Sequence, residues 1–261
     1  LAVTITKDGQ SRDVAIQQTK AGFIFAFDLD TGESIFPIEE RPVPQSDVPG
    51  EVTFPTQPFP VLPEPFTLTT LTRDDMYGLT PLDRLWCQNR FDELRYEGMF
   101  TPPSIEGTLH FPGFAGGGNW GGASFDPNSN LLIIKSLTMG TVHHLIPNPG
   151  GEITLLPDPG AQAVPGAASQ GGLGDPMPGT PYRTANGNFL SPLGVPCTPP
   201  PWGTLTAVDM DSGAVQWQIP FGKVRRYGIT FPDFLEWGTS IIGGPITTAG
   251  GLVFMVASMD K

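Results

Sequence analysis

AFDLDTGESIF (Ala26 to Phe36) and AVDMDSGAVQW (Ala207 to Trp217) share one pattern, Ala-x-Asp-x-x-x-Gly-x-x-x-aromatic. Each copy reads as a strand, a tight turn and the start of a second strand. Alanine is small enough to let a neighbouring unit approach. Aspartate caps the turn through the backbone, glycine supplies the positive φ, and the aromatic docks across to the next unit. The copies start 181 residues apart, an interval of about four units of the size typical of propeller blades. GGLVFMVASMD (250–260) begins like a further copy, as AGFIFAFDLD (21–30) does. The expectation is an all-β chain of radial antiparallel blades. A calcium-loop reading of Asp-x-Asp-x-Gly fails, because the remaining ligands and the bidentate glutamate are missing.

Composition agrees with short strands and many turns. The chain has 261 residues, of which 39% are hydrophobic and only 15% charged. Its 33 glycines and 30 prolines are about twice the usual share, which disfavours long helices. The net charge of −12 and the lack of a basic stripe argue against nucleic acid or an anionic membrane surface as partner. No apolar run reaches the length of a membrane span. The start at Leu1 and the end just after a strand lead us to expect a fragment of a longer chain. Cys87 and Cys197 fit no zinc spacing. The plainer reading is two buried free thiols, and pairing in an oxidising compartment is the alternative.

Along the chain, DVAIQ and FIFAF read as strands joined by a turn at Lys20-Ala21-Gly22. A lone lysine there is, taken by itself, an ordinary solvated edge residue. Residues 37–107 form an excursion. Its proline-rich part, 37–66, is expected to form no regular ladder, since proline donates no backbone hydrogen bond. The best helix is 80–96, with Thr80 as N-cap, Pro81 at the first helical position and Asp83 completing a capping box. Its apolar face would hold Leu82, Leu85, Trp86 and Leu94. FDPNSN is the turn of a hairpin within 119–138. Residues 147–201 read as one long loop. His143 and His144 point to opposite faces of a strand and so do not chelate together. GGGNWGG lacks the Lys-Ser/Thr of a phosphate loop.

The paired repeats are similar to the tryptophan-docking motif of the quinoprotein dehydrogenases. With QTKAG (18–22), RYEGMFTPPS (95–104), NWGGASFDP (119–127), PLGVPCTPPPWGTLTAVD (192–209) and GGPITTAGGLVF (243–254), the chain resembles the membrane-bound glucose, quinate and shikimate dehydrogenases that use pyrroloquinoline quinone (PQQ). The resemblance runs from about residue 12 to the end and is weakest at 145–180. It implies an eight-bladed β-propeller with PQQ near its axis. Residues 1–261 would form about half of it, carrying long Pro/Gly-rich loops and a short helix.

By the same resemblance, Lys20 reaches the cofactor, Trp120 lies on the floor of its site and Asn119 offers amide groups to it. An ammonium near the quinone oxygens would stabilise the negative charge that develops on reduction. Arg95 and Tyr96 either line the mouth of the site or pin the helix to a blade. Trp202 is structural, and Trp217 is the docking tryptophan. Where this chain has Lys135 the family often has asparagine, which either retunes the substrate pocket or faces out. The family's catalytic aspartate and the ligands of its calcium or magnesium ion come from before Lys20, where only nineteen residues stand here. The resemblance therefore implies no catalytic and no metal-ligating residue in this chain. The parent would oxidise a sugar or a cyclic polyol or hydroxy acid, pass electrons to ubiquinone, and sit on the periplasmic side of the bacterial inner membrane. The rival reading is a non-catalytic propeller adaptor of the bacterial envelope, which has no use for a lysine and an Asn-Trp-Gly-Gly loop at the axis.

Overall fold

The computed structural model describes residues 1–147, 175–177, 179–226, 229–239 and 242–256. It opens with an antiparallel sheet of β1 (Ala2–Lys7), β2 (Gln10–Gln18) and β3 (Ile24–Asp28). Asp8 and Gly9, both at positive φ, close the hairpin between β1 and β2; Asp-Gly suits such a two-residue turn. The first repeat follows. Asp28 Oδ1 accepts from the backbone N–H groups of Asp30 and Thr31, each at 3.0 Å, and Gly32 takes φ 74°. The Thr31 backbone bond is the main reason the Asp28 carboxyl titrates below its ordinary range. An isolated antiparallel bridge pairs Phe27 with Ser34.

The excursion then departs from expectation. β4 (Ile38–Pro42) and β5 (Thr56–Pro60) form a regular antiparallel ladder despite their prolines. The register explains it. Pro42 lies opposite Thr56, Pro58 opposite Glu40 and Pro60 opposite Ile38. The flanking hydrogen-bonded pairs fall on the other parity, with Val43 N–H donating to Pro55 O and Val61 N–H to Pro37 O. Every proline within the ladder thus occupies a position whose nitrogen points away from its partner strand.

Helix α1 (Pro81–Asp92) has the expected start: Thr80 Oγ1 accepts from the Asp83 N–H at 3.1 Å. The reciprocal capping-box bond is displaced by one residue, because Asp83 Oδ2 accepts from Leu79 N–H at 3.0 Å. The buried face is not the expected one. Leu82, Leu85 and Trp86 are exposed, whereas Asp83 and Cys87 are buried. Leu94 is buried as expected, though beyond the end of the helix. The helix is turned by a covalent anchor: Cys87 and Cys197 form a disulfide with Cα atoms 5.5 Å apart. The free-thiol reading is thereby corrected, and the bond sits in a core with Leu71, Met76, Leu109 and Phe189. Arg95 and Tyr96 act as pins. Arg95 Nη2 donates to Gln45 O at 2.6 Å, Nε donates to Glu97 at 2.6 Å, and Nη1 lies 3.0 Å from Asp47 as an ion contact rather than an aligned hydrogen bond. Tyr96 Oη accepts from Leu71 N–H at 3.0 Å.

After β6 (Thr108–His110), strands β7 (Ala123–Asp126) and β8 (Leu131–Leu137) form the expected hairpin, its turn closed by Asp126 Oδ1 accepting from Asn128 N–H at 3.0 Å. β9 (Thr141–Pro147), β10 (Asp175–Pro176) and β11 (Tyr182–Asn188) join β6 in a separate sheet of order β10-β11-β9-β6. The stretch expected as one loop at 147–201 therefore contains a seven-residue strand; its part from 148 to 174 lies outside the described residues. β12 (Gly203–Asp209) and β13 (Val215–Pro220) complete the second blade-like sheet, of order β13-β12-β8-β7. The chain continues through the short pairs β14 (Arg225–Arg226) with β15 (Ile229–Thr230) and β16 (Ile246–Thr247) with β17 (Val253–Phe254).

The second repeat closes as the first does: Asp209 Oδ1 accepts from Asp211 N–H at 2.6 Å and Ser212 N–H at 3.2 Å, and Gly213 takes φ 80°. The two repeats touch. A Cβ on Gly213 would lie 3.2 Å from the ring of Phe36, the aromatic of the first copy. One core joins Val14, Ile16, Ala26 and Phe36 to Leu132, Ile134, Val208 and Met210. Among the described residues, the interval between the copies holds the excursion and the β10-β11-β9-β6 sheet. The all-β, propeller-type architecture stands, with the two repeats on neighbouring sheets.

Candidate functional site

Lys20 stands on the turn that joins β2 to β3. Gly22 there has φ 84°, and a Cβ on it would come 2.4 Å from Thr67 Cγ2. A second segment, Gly116 to Gly122, runs alongside. Gly117 N–H donates to Lys20 O at 2.7 Å, Gly118 N–H to Thr19 O at 3.0 Å, and Gln18 Nε2 to Asn119 O at 3.0 Å. Glycine is required for this approach, since a Cβ on Gly116 would meet Lys20 Cβ at 2.4 Å and one on Gly121 the Ile242 carbonyl at 2.4 Å.

This pairing brings together residues a hundred positions apart. Lys20, Asn119 and Trp120 line one cleft of about 530 Å³, with Gln18 and Ala123 in its walls. Trp120 is 92% exposed, its indole standing in the cleft mouth rather than in a core. The Asn119 amide bridges its own loop: Nδ2 donates to Ala115 O at 2.8 Å and Oδ1 accepts from Trp120 N–H at 2.8 Å. Each end keeps capacity for one more bond. The buried Oε1 of Gln18 has no partner. A buried amide oxygen left unsatisfied is costly. Sequence reasoning quoted Gln18 but gave it no role. A signal was there, because Gln18 continues the face of β2 that holds the buried Val14 and Ile16.

On its other side Lys20 borders a second chamber of about 500 Å³. Its Nζ lies 4.6 Å from the centre of the Phe114 ring, a cation–π distance. Phe114 and His110, both in that wall, went unread in the sequence. The other sequence candidates fall elsewhere. The His143 ring stacks on His110 at 4.3 Å, while His144 packs over Gly107, so the two imidazoles of the pair have separate surroundings. Trp202 is buried beside Tyr77 and Trp237, with Nε1 donating to Thr198 O at 2.9 Å, as a structural residue. Trp217 lies on the edge strand β13, 36% exposed.

Lys135 does not face out. It is fully buried on β8, opposite Leu205 of β12, and burial lowers its pKa from 10.5 to about 8. The sign follows from linkage. Below pH 8 both folded and unfolded chains hold the proton, and the folded state bears the whole desolvation cost. Between pH 8 and 10.5 only the unfolded chain still binds it, so stability rises with pH across that window. Lys135→Met is expected to flatten the rise, as urea unfolding at pH 7 and pH 10.5 would show. An equal pH slope in both proteins would contradict this.

The family model described as the glucose/ethanol/alcohol dehydrogenase β-propeller domain, PQQ, matches residues 1–261. The chain is 37% identical over 258 residues to the quinate/shikimate dehydrogenase (quinone) of Acinetobacter baylyi, covering 97% of this chain and 31% of that protein. It is 38% identical over 263 residues to the quinoprotein glucose dehydrogenase of Escherichia coli K12, covering 98% and 32%. To the glycerol dehydrogenase large subunit of Gluconobacter thailandicus it is 38% identical over 262 residues, covering 97% and 35%. The chain spans about a third of the length of these relatives. Matched by the family model from its first residue to its last, the chain belongs to the PQQ-dependent glucose/ethanol/alcohol dehydrogenase β-propeller family.

Proposed function

We propose that the cleft between Lys20 and Trp120 is part of the PQQ site of a dehydrogenase whose complete chain oxidises a cyclic alcohol or sugar of the glucose, quinate or shikimate type and delivers electrons to ubiquinone. The observation that carries this is the meeting of Lys20, Asn119 and Trp120 in one cleft with Gln18 in its wall. The fit is chemical. PQQ is flat, carries three carboxylates, and accepts two electrons from an alcohol carbon. The Lys20 ammonium supplies positive charge and donors in a chain that is otherwise acidic. The exposed Trp120 indole offers a flat floor and one N–H. Asn119 adds a spare donor and a spare acceptor. The glycine run lets the backbone close against the ligand. Charge-assisted bonds of this kind are the strong ones.

The divalent ion does not fit in the same way. Among the described residues no group of three or more His, Cys, Asp or Glu side chains could hold a metal. Calcium or magnesium, like the catalytic base, is assigned to other parts of the complete protein. The periplasmic assignment draws support from the Cys87–Cys197 disulfide, because such bonds persist in oxidising compartments. Among the described residues no helix is long and apolar enough to cross a membrane.

Titrating PQQ into the complete parent protein tests the site directly. Saturable quenching of tryptophan fluorescence is expected, with most of it lost in Trp120→Phe. Absence of saturable uptake by the wild-type protein would sink the cofactor assignment.

A further inference from the structure

Lys20 borders two spaces, the cleft that holds Trp120 and the chamber on its other side, whereas Phe114 lines the chamber alone. The ammonium is on the Phe114 side, with Nζ 4.6 Å from the centre of the ring. Among the described residues no carboxylate pairs with it, although the chain carries 26 acidic side chains. The choice of partner matters. A carboxylate would hold the cation by a charge-assisted bond and use up its donors. An aromatic face at an exposed site holds it weakly and leaves its three N–H donors available.

The backbone under both partners is fixed. Lys20 O accepts from Gly117 N–H at 2.7 Å, and Gly116 lies so close that a Cβ on it would meet Lys20 Cβ at 2.4 Å. Gly113 N–H donates to Met139 O at 2.8 Å, and Phe114 N–H donates to Thr141 Oγ1 at 2.9 Å. The same loop therefore sets the ring and the foot of the lysine. What stays free is the lysine's flexible four-carbon stem, which is exposed.

We propose that Phe114 is a positioning residue for Lys20: its ring holds the ammonium on the chamber side, and Lys20 leaves the ring to reach an anionic oxygen in the cleft. The inference rests on the cofactor reading given above. Ring and cofactor then compete for one cation. The ring lowers cofactor affinity in proportion to its strength as a cation–π partner, which is greatest for Trp, smaller for Tyr and Phe, and nil for an aliphatic side chain.

The test is a ring series at position 114 in the complete parent protein, with PQQ affinity read by calorimetry. Phe114→Leu is expected to lower the Kd about threefold, the size of one exposed cation–π contact. Phe114→Trp should raise it about twofold, and Phe114→Tyr should leave it near the wild-type value. Phe114 is 66% exposed, so these exchanges disturb no core. In a Lys20→Ala background the same series should be flat, because the cation it acts on is gone; a merely structural role would persist there. A second readout needs no cofactor. In PQQ-free protein with isotope-labelled methyl groups on its lysines, a change that keeps their charge, the Lys20 signal is identified by its loss in Lys20→Ala. It should lie upfield under the Phe114 ring current, and return downfield in Phe114→Leu. A Lys20 signal without the ring shift, an unchanged or weaker PQQ affinity in Phe114→Leu, or a series that persists without Lys20 overturns the proposal while the cofactor reading stands. If the wild-type protein takes up no PQQ, the cofactor reading fails and the proposal falls with it.

Discussion

Lys20→Ala in the complete parent protein is expected to weaken PQQ binding by about 10–100-fold, the range for one charge-assisted hydrogen bond, and to lower kcat by about 10²–10³-fold once cofactor is saturating. The two effects have separate origins. Affinity should fall because, on the proposed reading, an anionic cofactor would lose the Lys20 cation in a protein of net charge −12. Turnover should fall because, on the same reading, the ammonium would stabilise charge that develops only during reduction. Dye-linked turnover and PQQ titration, run on the same samples, measure both. The backbone of the turn is held by Gly22 and by the Gly117 and Gly118 N–H groups rather than by the lysine side chain, so the variant should melt near the wild-type temperature. Lys20→Arg keeps the charge but changes reach and shape, and should recover affinity more than turnover. An alanine variant with wild-type affinity and turnover would remove Lys20 from the cofactor site.

Replacing both Cys87 and Cys197 with alanine is expected to cost about 4–5 kcal/mol of stability, because the bond closes a loop with a sequence separation of 110 residues. The loss should appear as a lower urea midpoint for the domain and a sharply lower yield. It should be smaller if the unfolded chain stays compact. The disulfide joins α1 to the segment before β12, and both ends are fully buried. Reductant added to the folded protein should therefore act only at the rate of unfolding. A double variant with the wild-type midpoint would show that packing of Leu71, Met76 and Leu109 alone holds the excursion to the sheets.

Both predictions depend on contacts that no local reading supplies. Lys20 comes to share a cleft with Trp120 because residues 116–122 lie against it. Cys87 acquires a partner because the excursion folds back onto residue 197. The helix shows the same limit. Thr80 and Pro81 mark its start through bonds within one turn, and the start is found where expected. Its buried face depends on what packs against it, and the disulfide turns Cys87 inward while Leu82, Leu85 and Trp86 stay in solvent. The β4–β5 ladder makes the converse point. Proline forbids a donor at its own position, but alternate positions in a two-stranded ribbon need none.

By itself, the sequence determined the two Asp-capped turns with their closing glycines, the β7–β8 hairpin, the Thr80 cap, and the order of motifs that carries the family. These are set by hydrogen bonds between residues two to four apart, so the amino acids that make them are adjacent in the text. Only the tertiary structure decided that the two repeats face each other through Phe36 and Gly213, that Cys87 bonds Cys197, that Lys135 is buried, and that Lys20 divides a cleft holding Trp120 from a chamber holding His110. Those depend on backbones meeting across about seventy intervening residues or more. There, burial and close glycine contacts choose the partner, and spacing along the chain carries no record of the choice.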